Sequence, residues 1–329
     1  MPLTPLAIQL HGDLNNLARE FISIFSLKYN EDAQNLNCPL MRWLDFRMRY
    51  VEPRPRNIIY SNRFPLKIPL EFDRARLFFE KKVINGEDIN PYQGKGLTRH
   101  HDTSSKKHAA RTDHLWACWG IVHFHITQQP IRQTHYYSPR SDYIAYCLFD
   151  DDTFVFLDIR SHPKSGSDDY ADPDLIRIIQ ESWPQLLKQY ELKGIMPDKE
   201  MTASEINKLR KLGMGSPLNI KGKAYMEPGF GMTSAKTSIK VQFLLMHIRE
   251  GIRQLAELIE VDPQFSEACL KSGVTEPKYS LKISEKGLIV YEENSYIGFT
   301  LNLSEYPYIT ALIKQAFPTW AISQYLDAV

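Results

Sequence analysis

The feature that most limits what this chain can become is a change of hydrophobic period in its middle. Up to Gly120 apolar residues recur every three to four positions, and after it three short runs follow a strand-like period of two. These runs are Ile121–Ile126 (IVHFHI), Tyr143–Phe149 (YIAYCLF) and Thr153–Ile159 (TFVFLDI). β-Branched and aromatic residues fill them, and Asp150-Asp151-Asp152 leaves room only for a tight connection, which predicts an antiparallel meander. Helices are predicted before it. One covers Leu14–Phe25, another Ile68–Ile84 with Leu70, Leu77, Phe78 and Val83 inward and Asn85-Gly86 as its stop, and a short one Ala109–Trp119. Beyond Ser165 the texture turns to Gly, Ser, Asp and Pro. Further helices are predicted over Asp174–Tyr190, after Thr202 with Ser204 as cap, over Lys236–Val261 and over Tyr306–Tyr325. Strands are predicted over Tyr279–Ile283, Leu288–Tyr291 and Tyr296–Leu301. The fold class is therefore α+β, with a central helix-helix-meander module (67–165), an N-terminal subdomain (1–66) and a C-terminal α+β domain (166–329) without assignable chemistry.

At 329 residues and 43% hydrophobic content the chain is long enough for roughly two domains with buried cores. Forty Lys+Arg stand against 39 Asp+Glu, which excludes a uniformly basic or an acidic disordered protein, so any charge signal is local. Four cysteines (Cys38, Cys118, Cys147, Cys269) form no CxxC pair, against a zinc ribbon or a disulfide framework. No apolar run approaches the roughly 20 residues of a membrane helix, and the first residues lack a leader pattern, so the expectation is a soluble, unprocessed, cytoplasmic protein with no membrane partner.

Two segments carry candidate chemistry. Pro39–Arg63 holds six arginines (Arg42, Arg47, Arg49, Arg54, Arg56, Arg63) among Trp43, Phe46, Tyr50 and Tyr60, the composition of a nucleic-acid face, or else of a helix and strand whose arginines are paired elsewhere. The second segment is richer: eight of the ten histidines lie between His100 and His162. Over Gln93–Arg140 seven cations (Lys95, Arg99, Lys106, Lys107, Arg111, Arg132, Arg140) face two aspartates, Asp102 and Asp113, which suits a polyanion. In a strand, His123 and His125 share one face while Val122, Phe124 and Ile126 share the other, so one side can pack and the other work. Imidazoles titrate near neutrality and suit proton transfer. Pro228–Lys236, with two glycines, has the composition of a loop that presents N–H groups to a phosphate, but it lacks P-loop spacing and reads more economically as a turn before a helix.

The succession of helices, then HFHI and SDYIAYCLFDDDTFVFLDIRSH, resembles the RelE-like superfamily of ribonuclease toxins, most closely the branch of YafQ and HigB-type proteins. The likeness covers about 95 residues, Ile68 to His162. His125-Ile126 resembles the His-Ile that ends one strand of that family. Ser141–Tyr146 resembles the opening of the next strand, and Ser161-His162 the end of the last. Two departures stand out: an insertion, Thr127–Ser141, and a chain far longer than the family's.

What the resemblance implies is a metal-independent endoribonuclease, toxin-like or serving in phage defence, with no cofactor. His125, His162 and Asp142 would carry the catalysis, His123 beside them and His114 or His108 as a weaker carry-over. Arg111, Arg132, Arg140, Lys106, Lys107 and His114 would bind substrate. The implied partners are RNA, including ribosome-associated mRNA, and an antitoxin or regulatory protein. Two other readings of the same residues stay open. One is a metal-dependent hydrolase with His123 and His125 joined by His100, His101, Asp102 or Asp158 around Zn²⁺, Mn²⁺ or Fe²⁺. The other is a non-catalytic RNA- or protein-binding module.

Overall fold

The computed structural model describes residues 3–34, 36–65, 68–164, 166–301 and 307–329. In chain order it contains α1 (Pro5–Ile24), α2 (Pro39–Arg47), β1 (Asn57–Tyr60), α3 (Leu70–Asn85), α4 (His114–Trp119), β2 (Val122–His125), β3 (Tyr143–Phe149), β4 (Thr153–Ser161), α5 (Asp174–Ser182), α6 (Pro184–Lys188), α7 (Ala203–Leu212), β5 (Leu218–Ile220), β6 (Lys223–Tyr225), α8 (Ile239–Val261), α9 (Pro263–Lys271), β7 (Tyr279–Ser284), β8 (Gly287–Glu292), β9 (Ile297–Thr300), α10 (Pro307–Ala316) and α11 (Thr319–Ala328). The fold is mixed α+β. Among the described residues no helix is long and apolar enough to cross a membrane.

The chain divides into two compact units, each drawn from separated segments. One comprises Met1–Met48, Asp102–Ser105 and Val241–Val329, the other Arg49–His101 and Lys106–Lys240. This differs from three consecutive pieces broken at 66 and 165, and the sheet gives the reason. Its order is β1-β4-β3-β2, so β1, from the segment before residue 66, pairs in parallel with β4. On the far side of 165, Asp172 and Asp174 accept hydrogen bonds from Arg160 of β4 at 2.6 and 3.0 Å.

Strands β2, β3 and β4 form the expected antiparallel meander, with His125 opposite Ile144 and Tyr143 opposite Ser161. One face carries Phe124, Phe154 and Phe156, which pack on Phe79 of α3 with ring centroids 5.3, 6.0 and 6.2 Å away. The inner face of α3 is thus Ala75, Phe79, Glu80 and Val83, whereas Leu70, Leu77 and Phe78 are exposed. Of the four residues expected inside, only Val83 is. The helix has apolar residues all round, so periodicity alone picks no face.

Several boundaries move for chemical reasons. Pro184 splits the helix expected over Asp174–Tyr190, and the one ending near Tyr325 breaks at Pro318; its expected first residue, Tyr306, lies outside the described residues. Thr202 rather than Ser204 caps α7, closing a capping box with Glu205. The run Pro228–Lys236 is a turn: a Cβ on Gly229 would stand 2.4 Å from the Ala117 carbonyl oxygen, so glycine serves close packing on α4. The arginines of 39–63 are largely engaged. Arg42 is fully buried and donates to the Lys28 carbonyl, Arg56 donates to the Asp150 and Glu52 carbonyls, and Arg54 and Arg63 pair with Asp152 and Asp174.

In the first unit α1 packs on α2 through stacked Phe21 and Trp43, and against β7 through Gln9 and Asp13, which bond the Tyr279 carbonyl and the Leu281 N–H. There β7, β8 and β9 form a second antiparallel meander, in which the residues of β8 alternate half-buried and buried.

Candidate active site

The second face of the β2–β4 meander is polar. Alternation puts His123 and His125 on it, and cross-strand pairing adds Tyr146 opposite His123 and Arg160 opposite Ile144. Because β2 ends, β3 begins and β4 ends at one edge of the sheet, the three short elements quoted above meet there. His125 and His162 stack with ring centroids 5.1 Å apart and planes at 16°. His123 lies 6.2 Å from His125 and 5.1 Å from the ring of Tyr170, which belongs to a 3-10 turn, Asp169–Ala171.

Above this row lies a cavity of about 380 Å³. Its lining includes His100, His101, His114, His123 and His125, the cations Arg49, Lys95 and Arg210, and the carboxylates of Asp113 and Asp168. The loop Gly94–His101 closes one side, and glycine lets it come near: a Cβ on Gly94 would sit 3.2 Å from His125 Nε2, and one on Gly96 2.8 Å from His101 Cε1. The insertion Thr127–Ser141 supports that loop, since Tyr137 hydrogen-bonds Thr98 and the Ser138 N–H donates to the Pro91 carbonyl.

Desolvation sets the charge state of the row. Burial, then the neighbouring His123, His162 and Arg140, holds His125 down to about 3. Burial lowers His123 against the opposing pull of Asp113, and holds His114 down to about 4. Both His125 and His114 are therefore neutral at pH 7. Asp113 goes the other way. Burial pushes its carboxyl up, but His101, His123 and Arg49 outweigh this and keep it below the usual carboxylate range. His162 Nδ1 lies 3.1 Å from Arg140 Nη2 and 2.9 Å from the Pro163 carbonyl oxygen. Those contacts are alternatives, because the nitrogen accepts from the guanidinium only when it carries no proton to donate to the carbonyl.

The expected site residues separate into two groups. His125, His162, His123, His114 and Arg140 come together in or beside the cavity. The Asp142 side chain is exposed and outside the lining; its carbonyl accepts the His162 N–H at 2.6 Å, so it anchors the turn that presents the imidazole. Arg111 is buried, donates to the Ala235 carbonyl at 2.7 Å and is outside the lining. Lys106, Lys107 and Arg132 are exposed and outside the lining, as is His108.

Sequence reasoning missed Asp113, Tyr170, Asp168, Asn207 and Arg210 as lining residues, and placed Arg49 in another subdomain. Only Asp113 left a local signal, as the residue before a short helix whose Leu115 and Trp116 N–H groups it caps. For a metal centre, Asp158 is engaged by Arg160 and Asp102 by Ser104. Among the described residues no three His, Cys, Asp or Glu side chains converge as a ligand set. No family model, no curated protein and no solved structure matches the chain, so the cleft's chemistry is read from its own residues.

Proposed function

We propose that the protein is a metal-independent endoribonuclease of RelE-like type whose chemistry takes place at the His125–His162 stack. The observation that carries this is two imidazoles 5.1 Å apart, one in a desolvated cavity and the other beside a guanidinium. Cleavage of RNA without a metal needs a base for the ribose 2′-OH, a cation on the phosphate and a donor for the departing 5′ oxygen. His162 suits the base. With its Nδ1–H donated to the Pro163 carbonyl, the ring keeps a lone pair on Nε2, and Arg140 is released toward the phosphate. His125 suits the donor, because a phosphate beside it raises its proton affinity from the depressed value of the empty cleft.

The exposed cations Lys95, Arg99, Arg132 and Arg140 would draw the strand in, a role sensitive to salt. The decisive experiment is cleavage of single-stranded RNA in excess chelator by the wild type and by His125→Ala and His162→Ala. The expected result is a 2′,3′-cyclic phosphate product and loss of cleavage in both variants. Undiminished RNA affinity without cleavage under any buffer would make the protein a binder, and activity abolished by the chelator would make it a metalloenzyme.

A further inference from the structure

The four-stranded sheet is bounded by β2 on one side and β1 on the other, and the chain treats these two edges differently. Against β2 stands the loop that begins at Gly94, close enough that a Cβ there would meet the His125 ring at 3.2 Å. The outer strand β7 of the second meander is also engaged, by the side chains of Gln9 and Asp13. Among the described residues no strand pairs with the outer edge of β1.

Register decides which groups that edge presents. The Asn57 N–H donates to the Asp152 carbonyl at 2.8 Å and the Ser61 N–H to the Phe156 carbonyl at 2.9 Å, so odd-numbered residues bond inward to β4. Ile58 and Tyr60 are out of step with them and direct N–H and C=O groups outward, where no backbone bond from the described residues takes them up. The strand, Asn-Ile-Ile-Tyr, holds no charge, proline or bulge of the kind that blunts an open edge. Ile59 and Tyr60 are 38% and 41% exposed. Helix α3 runs beside them: the Val83 carbonyl accepts the Arg56 N–H at 3.3 Å, and Arg76 Nη1 donates to the Tyr60 hydroxyl at 3.3 Å. The next residues of that helix, Leu77 and Ile84, are exposed.

This edge is complementary to itself. Ile58 and Tyr60 stand symmetrically about Ile59, so in an antiparallel pair Ile58 exchanges both backbone bonds with the partner's Tyr60, and Tyr60 with the partner's Ile58. Ile59 then faces its own counterpart. Each of these pairs sets apolar against apolar, the β-branched and aromatic combinations that stabilise neighbouring strands, and none sets like charges together. We propose that β1 pairs with β1 of a second copy of this chain, joining two four-stranded sheets into one of eight strands. Four strand residues bury too little for the roughly 1,200–2,000 Å² of a stable interface, and the exposed Leu77 and Ile84 extend the apolar surface beside them. A two-fold axis through Ile59 stands perpendicular to the sheet, so both histidine rows open on the same side of it. The pairing is independent of the nuclease reading.

Sedimentation equilibrium and thiol cross-linking test it. The wild type should be a reversible dimer in the micromolar range. Ile59→Lys leaves the backbone bonds to β4 in place but sets two cations face to face, and should weaken association by about tenfold or more. Residues directly opposite in a pair of this kind have Cα atoms about 4.5 Å apart, within disulfide reach, so Ile59→Cys should oxidise to a covalent dimer. Asn57→Cys, about 13 Å from its counterpart, should link no more than the wild type does. A wild type that stays monomeric, a dimer that Ile59→Lys leaves unchanged, or equal cross-linking of the two cysteine variants overturns the proposal. Should Ile59→Lys fail to fold, as judged by circular dichroism, the contrast between the cysteine variants decides alone.

Discussion

Each of the two antiparallel meanders carries a cavity, and the two are almost equal in size, about 380 Å³ beside β2 and about 390 Å³ beside β7. Their chemistry is opposite. Beside β7 the polar groups are paired with one another: Lys282 with Glu293 at 3.1 Å, Ser280 with Glu293, Tyr325 with Glu20, and Asp13 with the Leu281 N–H. Beside β2 the imidazoles stack on each other, and burial holds His125, His123 and His114 below their ordinary pKa. Volume does not distinguish the cavities. What sets the first apart is a set of titratable groups taken out of water.

The largest expected effect tests that contrast directly. Replacing His125 or His162 by alanine removes a proton-transfer group and should slow RNA cleavage about 10²–10⁴-fold. Lys282→Ala and Glu293→Ala, in the cavity of the same size, should leave the rate within about twofold, since an exposed pair of this kind contributes little. Steady-state cleavage assays of the four variants decide it. Equal losses in both cavities would show that the difference in charge state is not what sets the first apart.

Next in size is an effect on folding. Phe79 is fully buried on the apolar face beneath the imidazoles, in contact with Phe124, Phe154 and Phe156. Phe79→Ala should cost about 3–4 kcal/mol through lost burial and a residual cavity. Denaturant unfolding followed by circular dichroism measures it, with Leu77→Ala as control. Leu77 is exposed on the same helix, and its loss should cost under about 0.5 kcal/mol. The reverse ranking would mean that α3 presents its other face to the sheet.

That pair of variants also shows what was legible in the sequence. The meander and the shared face of His123 and His125 follow from a period of two, a local property that single residues reveal. The inward phase of α3 does not, because Leu70, Leu77 and Phe78 satisfy a helical stripe as well as Ala75, Phe79 and Val83 do. His125 and His162 could be named because both close a strand of one meander, so their meeting needs only antiparallel pairing. Tyr170, Asn207 and Arg210 reach the same cavity from beyond Ser165 by tertiary folding that no local spacing encodes. Asp142 stays outside the cavity for a subtler reason: it stands at the expected end of its strand, yet its contact with His162 is made by its backbone carbonyl.

The third effect is a pH dependence. A histidine held neutral by burial binds fewer protons when folded than when unfolded, so its contribution to stability is complete above about pH 6.5. As the pH falls from there toward about 3, where folded His125 finally takes its proton, the unfolded chain gains protons and the native state loses about 1.4 kcal/mol per pH unit for each such group. Unfolding free energies between pH 7 and pH 4 should fall accordingly in the wild type, and the slope should flatten in His125→Gln. An identical slope in that variant would place the proton uptake elsewhere, at His123, His114 or outside the cavity.

The smallest effect compares one glycine from each unit. Gly94 and Gly273 both have φ near +80°, at +79° and +78°, a conformation that costs residues with a Cβ about 1–3 kcal/mol. An added Cβ at Gly273 meets nothing within 4 Å, so Gly273→Ala should show backbone strain alone, about 1 kcal/mol in stability with cleavage unchanged. At Gly94 the same methyl group would stand 3.2 Å from His125 Nε2 and 3.5 Å from its Cδ2. The ring has to yield by a few tenths of an ångström, and His162 stacked on it must follow or lose contact. Gly94 also has ψ 174°, a region that only glycine adopts readily, so Gly94→Ala should lose more stability than Gly273→Ala. Because proton transfer is sensitive to such displacements, it should also cleave roughly tenfold more slowly. Thermal unfolding paired with turnover separates the two consequences. If both glycines respond alike, the loop that closes the histidine cavity does not need to touch the ring it covers.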